Sequence, residues 1–186
     1  MSEIEVDKFR VTVLCEDKSH FHFVKGYLEA LGFNRGKING KIAISGRGSG
    51  EQYVRKWFPR MVKDHRRFKL ENIILIVVTD ADGYTYDKRL KTLTSTLEKQ
   101  LSEDEKIVIL VPTRNIKTWF WYADNPTKCN EQEDYKSKYN QPKNSKYGEK
   151  YAKDICPSLP KDTLMALQET HTEIERLNEL LSSQKT

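Results

Sequence analysis

The sequence has little with which to cross a membrane, bind zinc or staple itself with disulfides. No apolar run approaches the roughly 18 residues that a membrane-spanning helix needs, and the longest, Ile73–Val78, is only the length of a strand. The first residues, Met1-Ser2-Glu3-Ile4-Glu5, are acidic and carry no apolar signal region. A soluble, cytoplasmic protein without membrane contact is therefore expected. Three cysteines, Cys15, Cys129 and Cys156, form no CxxC pair, and their odd number argues against a disulfide framework. Cys15 ends an apolar run and reads as a small buried hydrophobe. The glycine-rich turn Gly46-Arg47-Gly48-Ser49-Gly50 lacks the Lys-Ser/Thr ending of a P-loop, which disfavours nucleoside triphosphate hydrolysis. From Ala123 to Asp154 there is no Ile, Leu, Val, Met, Phe or Trp, so this stretch cannot build a core of its own.

What remains is a chain of 186 residues, the size of one domain with an appendage. Its 32 Lys and Arg against 27 Asp and Glu leave a formal charge of +5. That excess permits a polyanionic partner, and its distribution matters more than its total. Phe9–Cys15 reads as a strand, followed by a helix capped at Ser19 and carrying Phe23, Val24, Tyr27, Leu28 and Leu31 at helical spacing. Lys41–Ser45 reads as a short second strand. The segment Glu51–Phe68 is helical, with Val54, Phe58, Met61, Val62, His65 and Phe68 on one side, although Pro59 should kink or divide it. Asn72–Thr79 has the continuous apolar character of a strand covered on both faces. Asp87–Leu101 repeats leucine at helical spacing, Lys106–Val111 is a further buried strand, and Ile116–Tyr122 is an aromatic helix.

The order predicts an α/β fold with a mainly parallel, four-stranded or slightly larger sheet flanked by helices and followed by a helical extension. We divide the chain into an α/β domain over 1–124, a polar Tyr/Lys-rich extension over 125–160 that would wrap the domain or meet a partner, and an amphipathic helix over 161–186. That helix carries Leu164, Leu167, His171, Ile174, Leu177 and Leu181 on one stripe. Its stripe suits packing back on the domain, with pairing to a second copy or another protein as the alternative.

In open α/β sheets, ligands bind beyond the carboxyl ends of the strands. Those ends carry Glu16-Asp17, Gly46-Arg47-Gly48, Asp80-Ala81-Asp82-Gly83 and Pro112-Thr113-Arg114-Asn115. Acids thus converge from separate segments onto one edge. On an extended backbone Asp80 and Asp82 point the same way, and close carboxylates repel until a divalent cation joins them. An all-oxygen donor set suits Mg²⁺ or Mn²⁺. His20 and His22, two apart on a helix, splay to different faces and make no zinc pair; His20 reads as a surface histidine or a proton carrier. Positive charge gathers at Arg55, Lys56, Arg60, Lys63, Arg66, Arg67 and Lys69, interleaved with Trp57, Phe58 and Phe68. Such a segment can contact a nucleic-acid backbone, and Arg47 and Arg114 stand on the acidic edge itself.

A Glu ending the first strand (VLCED, Glu16), a DxD ending the third (VVTDADG, Asp80 and Asp82) and the βα order resemble the TOPRIM domain of topoisomerases, primases, overcoming-lysogenization-defect nucleases and small rRNA-maturing ribonucleases. Similarity is closest to small standalone TOPRIM-like proteins, some associated with defence against phage, in which a strand is followed by Arg-x-x-x-x-Trp, here Arg114 and Trp119. The resemblance covers about Phe9 to Asp124. It implies a metal-dependent nuclease or nuclease effector, acting in phage defence or as a toxin, with Glu16, Asp80 and Asp82 catalytic and holding Mg²⁺. The chain departs from the pattern at Asp17, where Gly is frequent, at Tyr84, where a third acid is frequent, and at Asn115 and Lys117, where Glu is frequent. A second metal would need Asp17, Asp87 or Asp124. DxDG is also similar to the haloacid-dehalogenase phosphatase motif, but two βα units precede it here. Glu16-Asp17 with Asp80 mimic a response-regulator receiver, whose Lys-Pro after a fifth strand is not found. The nonenzymatic alternative is a TOPRIM-like module that binds nucleic acid or a protein partner.

Overall fold

In this computed structural model the described residues are 8–68, 72–139 and 145–155, with 169, 172, 173, 175, 176 and 179 in the C-terminal segment. Four strands, β1 (Arg10–Cys15), β2 (Ile38–Ile42), β3 (Ile73–Val78) and β4 (Ile107–Leu110), form one all-parallel sheet in the order β2-β1-β3-β4. The helices are α1 (Lys18–Ala30), α2 (Gly50–Phe68), α3 (Tyr86–Thr94), α4 (Ile116–Asp124) and α5 (Ser145–Lys150). The α/β class and the parallel sheet expected from the element order are the ones observed.

Side-chain alternation along the two central strands divides the core. Val11, Val13, Cys15, Ile74, Ile76 and Val78 face α1, α4 and α5, where Phe23, Trp119, Phe120 and Tyr151 fill the space. Leu14, Leu75, Val77, Ile107 and Ile109 face α2 and α3, meeting Val54, Phe58, Val62 and Leu93. Every parallel connection therefore returns over a covered face, and the carboxyl ends of all four strands lie at one edge.

Four expectations are corrected in detail. The second strand lies three residues earlier, because Gly40 admits the ring of Phe21: a Cβ at position 40 would stand 2.8 Å from that ring. Pro59 leaves α2 in one piece; the carbonyl of Arg55 that loses its partner belongs to an exposed residue, where water can replace it. Phe68 is not on the buried stripe but is 56% exposed. The third helix stops at Thr94, where the hydroxyls of Thr94, Ser95 and Thr96 donate to the carbonyls of Leu90, Thr92 and Leu93 and compete with helix propagation.

The polar stretch after α4 packs through tyrosine. Tyr135, Tyr147 and Tyr151 are buried, and Tyr147 stacks on Phe120 at 4.5 Å between ring centroids. Helix α5 crosses α1 at a glycine pair: a Cβ on Gly26 would fall 2.1 Å from the Ser145 carbonyl oxygen, and one on Gly148 would fall 1.9 Å from that of Phe23. The stripe expected on the C-terminal helix lies outside the described residues, as do Cys156, Lys69 and the pairing proposed for that stripe. Among the described residues there, Arg176 donates to the carbonyls of Glu103, Glu105 and Ile107 at the start of β4. No helix among the described residues is long and apolar enough to cross a membrane.

Candidate active site

The centre forms where β1 and β3 end side by side. Cys15 pairs with Val78 in the ladder, so Glu16 comes level with Thr79 and Asp80. Glu16 Oε1 accepts from the Thr79 hydroxyl at 2.6 Å and from the Asp80 backbone N–H at 2.8 Å. Helix α2 begins against it, since a Cβ on Gly50 would lie 2.7 Å from the Glu16 Cβ. Burial, and then the charge of Asp80, push the Glu16 carboxyl up to about 7. A carboxyl in that range can exchange a proton near neutrality.

Asp80 is buried, with 6% of its surface exposed. Its Oδ1 accepts from the Ile116 N–H at 3.0 Å, at the first turn of α4, and lies 2.8 Å from His20 Nε2. Asn115 caps α4 by accepting from the Lys117 N–H, which aims the helix start at Asp80. His20 is fully buried, and its Nδ1 lies 3.3 Å from Asp17 Oδ1. Burial alone would disfavour the imidazolium, but the charge and hydrogen bond of Asp80, with Asp17 and Glu16 beyond, raise His20 to about 9. The histidine is therefore a buried clamp on Asp80 whose charged form the surrounding acids favour, not the surface residue expected.

Lys117 also converges here. Its ammonium donates to the Ser19 hydroxyl at 2.8 Å. Its pKa is lowered by burial, against the opposing pull of Asp17 and Asp80. Lys117 and His20 thus partly neutralise the acids from within the protein.

The other predicted acids each make contacts of their own. Asp17, not Ser19, is the N-cap of α1, its Oδ1 accepting from the N–H groups of Ser19 and His20. Although partial burial opposes it, His20 and those two N–H groups hold Asp17 below the usual carboxylate range. Asp82 has φ 51°, so the alternation of an extended chain does not apply to it. It sits 3.6 Å from Arg89 Nη2, while Arg89 Nη1 reaches Glu51 at 3.1 Å. Burial, then Asp80, raise the Asp82 carboxyl. Asp87 is exposed in the first turn of α3. Asp124 is occupied by Tyr139, Tyr147 and Lys150, which fasten the extension to α4.

Of the predicted cations, Arg114 adopts φ 60°, its carbonyl accepts from the Asp82 N–H, and its guanidinium lies over Gly83. Arg47 is exposed in the turn before α2. Arg55 lies 3.6 Å from Glu51. Arg66 turns inward to both Glu105 carboxylate oxygens and the carbonyls of Lys99 and Gln100. Lys56, Arg60, Lys63 and Arg67 remain on the exposed flank of α2.

The donor set admits a cation in a restricted way. Among the described residues no three His, Cys, Asp or Glu side chains converge as a metal cage. Glu16 and Asp80 each commit one oxygen to the fold and keep the other without a protein partner among the described residues. One or two carboxylates, with water and substrate phosphate completing the shell, is how Mg²⁺ is commonly held.

His20 and Lys117 stand at this junction without having been singled out as its members from the sequence. The signal for His20 was its place three residues after a capping Asp, and that for Lys117 its place in the first turn of the aromatic helix. No protein-family model, curated protein or solved structure matches the chain.

Proposed function

We propose that the protein is a metal-dependent phosphodiesterase acting on nucleic acid, with Mg²⁺ or Mn²⁺ held by Glu16 and Asp80. The observation that carries this reading is the junction of the two strand ends, where Glu16 accepts from the Asp80 N–H and its carboxyl is raised to about 7 by burial and by Asp80. Like-charge crowding of this kind is relieved by a cation and is characteristic of reacting groups. Bound between them, the metal would supply Lewis acidity toward a phosphoryl oxygen.

The chain's own groups account for the rest. The attacking water forms the new P–O bond and releases its proton to solvent, the P–O bond to the leaving oxygen breaks, and that oxygen takes a proton from solvent. His20 and the Ile116 N–H fix Asp80 by the same oxygen, leaving its other oxygen directed by that anchorage. Lys117 and Arg114 offset the charge of the bound phosphate, and Lys56, Arg60, Lys63 and Arg67 attract the backbone along α2. Asp82 serves the loop through Arg89 and is outside the reacting pair.

Purified protein incubated with plasmid, single-stranded DNA and tRNA should cleave at least one substrate with Mg²⁺ or Mn²⁺ and none with EDTA. Glu16→Gln and Asp80→Asn should each lower the rate about a hundredfold or more. Cleavage that persists in both variants would sink the assignment. Affinity for nucleic acid without cleavage under either metal would return the second reading, a noncatalytic binding module, which the internal cations His20 and Lys117 favour.

A further inference from the structure

At the start of α2, the end that packs against Glu16, the preceding turn and the first two turns of the helix enclose a cleft of about 310 Å³. Its apolar floor is Ile44, Tyr53 and Trp57, and its rim is Arg47, Gln52 and Lys56. Ile44 is 59% exposed. Tyr53 and Trp57, one helical turn apart, hold their ring centroids 6.1 Å from each other. Lys41 places its ammonium 3.7 Å from the Trp57 centroid, and the Arg60 guanidinium lies 5.3 Å from it.

The charged side chains that line the cleft, Arg47 and Lys56, are both cations. No acidic side chain lines the cleft, and neither Arg47 nor Lys56 has an acidic partner among the described residues. The cleft adjoins the start of α2, where Ser49 belongs to the lining and the next residue, Gly50, packs on the Glu16 Cβ.

We propose that this cleft seats one unpaired nucleotide, its base on Tyr53 and Trp57 and its flanking phosphates on Arg47 and Lys56, so that the substrate is single-stranded nucleic acid. The inference rests on the nucleic-acid function proposed above. Aromatic faces combined with cations are the means by which unpaired strands are bound without regard to sequence. In a duplex the base faces are stacked on each other, so a helix could reach the exposed cations of α2 but not the recessed rings. An exposed cation–π contact is weaker than base stacking. An incoming base therefore displaces Lys41 from Trp57, and the freed ammonium stays close enough to meet its phosphate.

Fluorescence anisotropy in EDTA, where cleavage is stopped, separates binding from reaction. Labelled oligo(dT) and oligo(rU) should bind about tenfold or more tightly than a hairpin duplex. Trp57→Ala should lose about tenfold on the single strands and little on the duplex, while Trp57→Phe keeps most of the affinity. Because truncating a half-buried tryptophan can harm folding, the exposed pair Arg47→Glu/Lys56→Glu provides an independent variant. It should reduce the slope of log affinity against log salt by about two phosphate contacts. Equal affinity for duplex and single strand, unchanged single-strand binding in both Trp57→Ala and the charge-reversed variant, or displacement by a polyglutamate peptide at equal charge would overturn the inference. Strand-selective binding without cleavage would remove the nuclease reading and keep this one. Cleavage unaffected by the cleft variants would do the reverse.

Discussion

Glu16 and His20 acquire their chemistry from opposite balances of the same two forces. For Glu16, burial and the neighbouring Asp80 both resist ionisation; for His20, burial resists it but Asp80 and Asp17 overcome that resistance. Each folded pKa stands above its unfolded value, so each group contributes stability that is fully present at low pH. The Glu16 contribution is lost as pH rises from about 4.5 through about 7, and that of His20 as pH rises from about 6.5 through about 9. In metal-free buffer, urea unfolding should find Glu16→Gln more stable than the wild type by about 1–3 kcal/mol at pH 8 and equal to it at pH 4. His20→Gln should be destabilised most below pH 6.5 and approach the wild type above pH 9. Glu16 and Asp80 were legible as strand-end acids because the adjoining apolar runs locate those ends. The fate of Asp82 was not, since a left-handed backbone at a non-glycine residue is set by the Asp82 N–H bond to Arg114, a contact between loops distant in sequence. The burial of His20 depended likewise on how α1 lies against the end of β3.

At the scale of elements, β3 and β4 were readable from uninterrupted aliphatic runs, which only a strand covered on both faces would carry. The edge strand β2 was displaced in the reading because Asn39 and Gly40 look like a turn until Phe21 is seen to cover the glycine. The docking of α5 had no aliphatic signal at all. Tyrosines supply its buried area, with Tyr151 donating to the Trp119 carbonyl at 3.0 Å and Tyr147 to Asp124 at 3.0 Å. Its approach to α1 is set by the glycine pair. Gly148→Ala should therefore destabilise the fold by about 1–3 kcal/mol, more than the helix propensity of alanine can return. Chemical denaturation with tyrosine and tryptophan fluorescence would register that loss, and an unchanged midpoint would show that the helices separate without cost.

Over the whole molecule, the modest excess of positive charge resolves into an acidic pair at the sheet edge and a basic flank on α2. Arg66 turns inward to Glu105, and the exposed Arg55 is offset by Glu51, so the net positive charge along α2 is smaller than its count of lysines and arginines. Reversing Arg60, Lys63 and Arg67 together should weaken nucleic-acid binding and lower its salt dependence by up to about three phosphate contacts, with little change in melting temperature. Reversal of Arg66, by contrast, should cost stability through Glu105, whose carboxyl Arg66 and then Ser102 hold at about 2 against the effect of burial.

The central claim is that Glu16 and Asp80 together form a divalent-metal centre that gains its full charge near neutrality. Mn²⁺ binding followed by electron paramagnetic resonance across pH 5 to 9 tests it most directly. The account predicts a saturable site whose affinity rises through about pH 7 as Glu16 loses its proton, and falls about tenfold or more in Asp80→Asn. In Glu16→Gln the rise near pH 7 should disappear. Absence of saturable binding, or an unaltered affinity and pH profile in both variants, would contradict it.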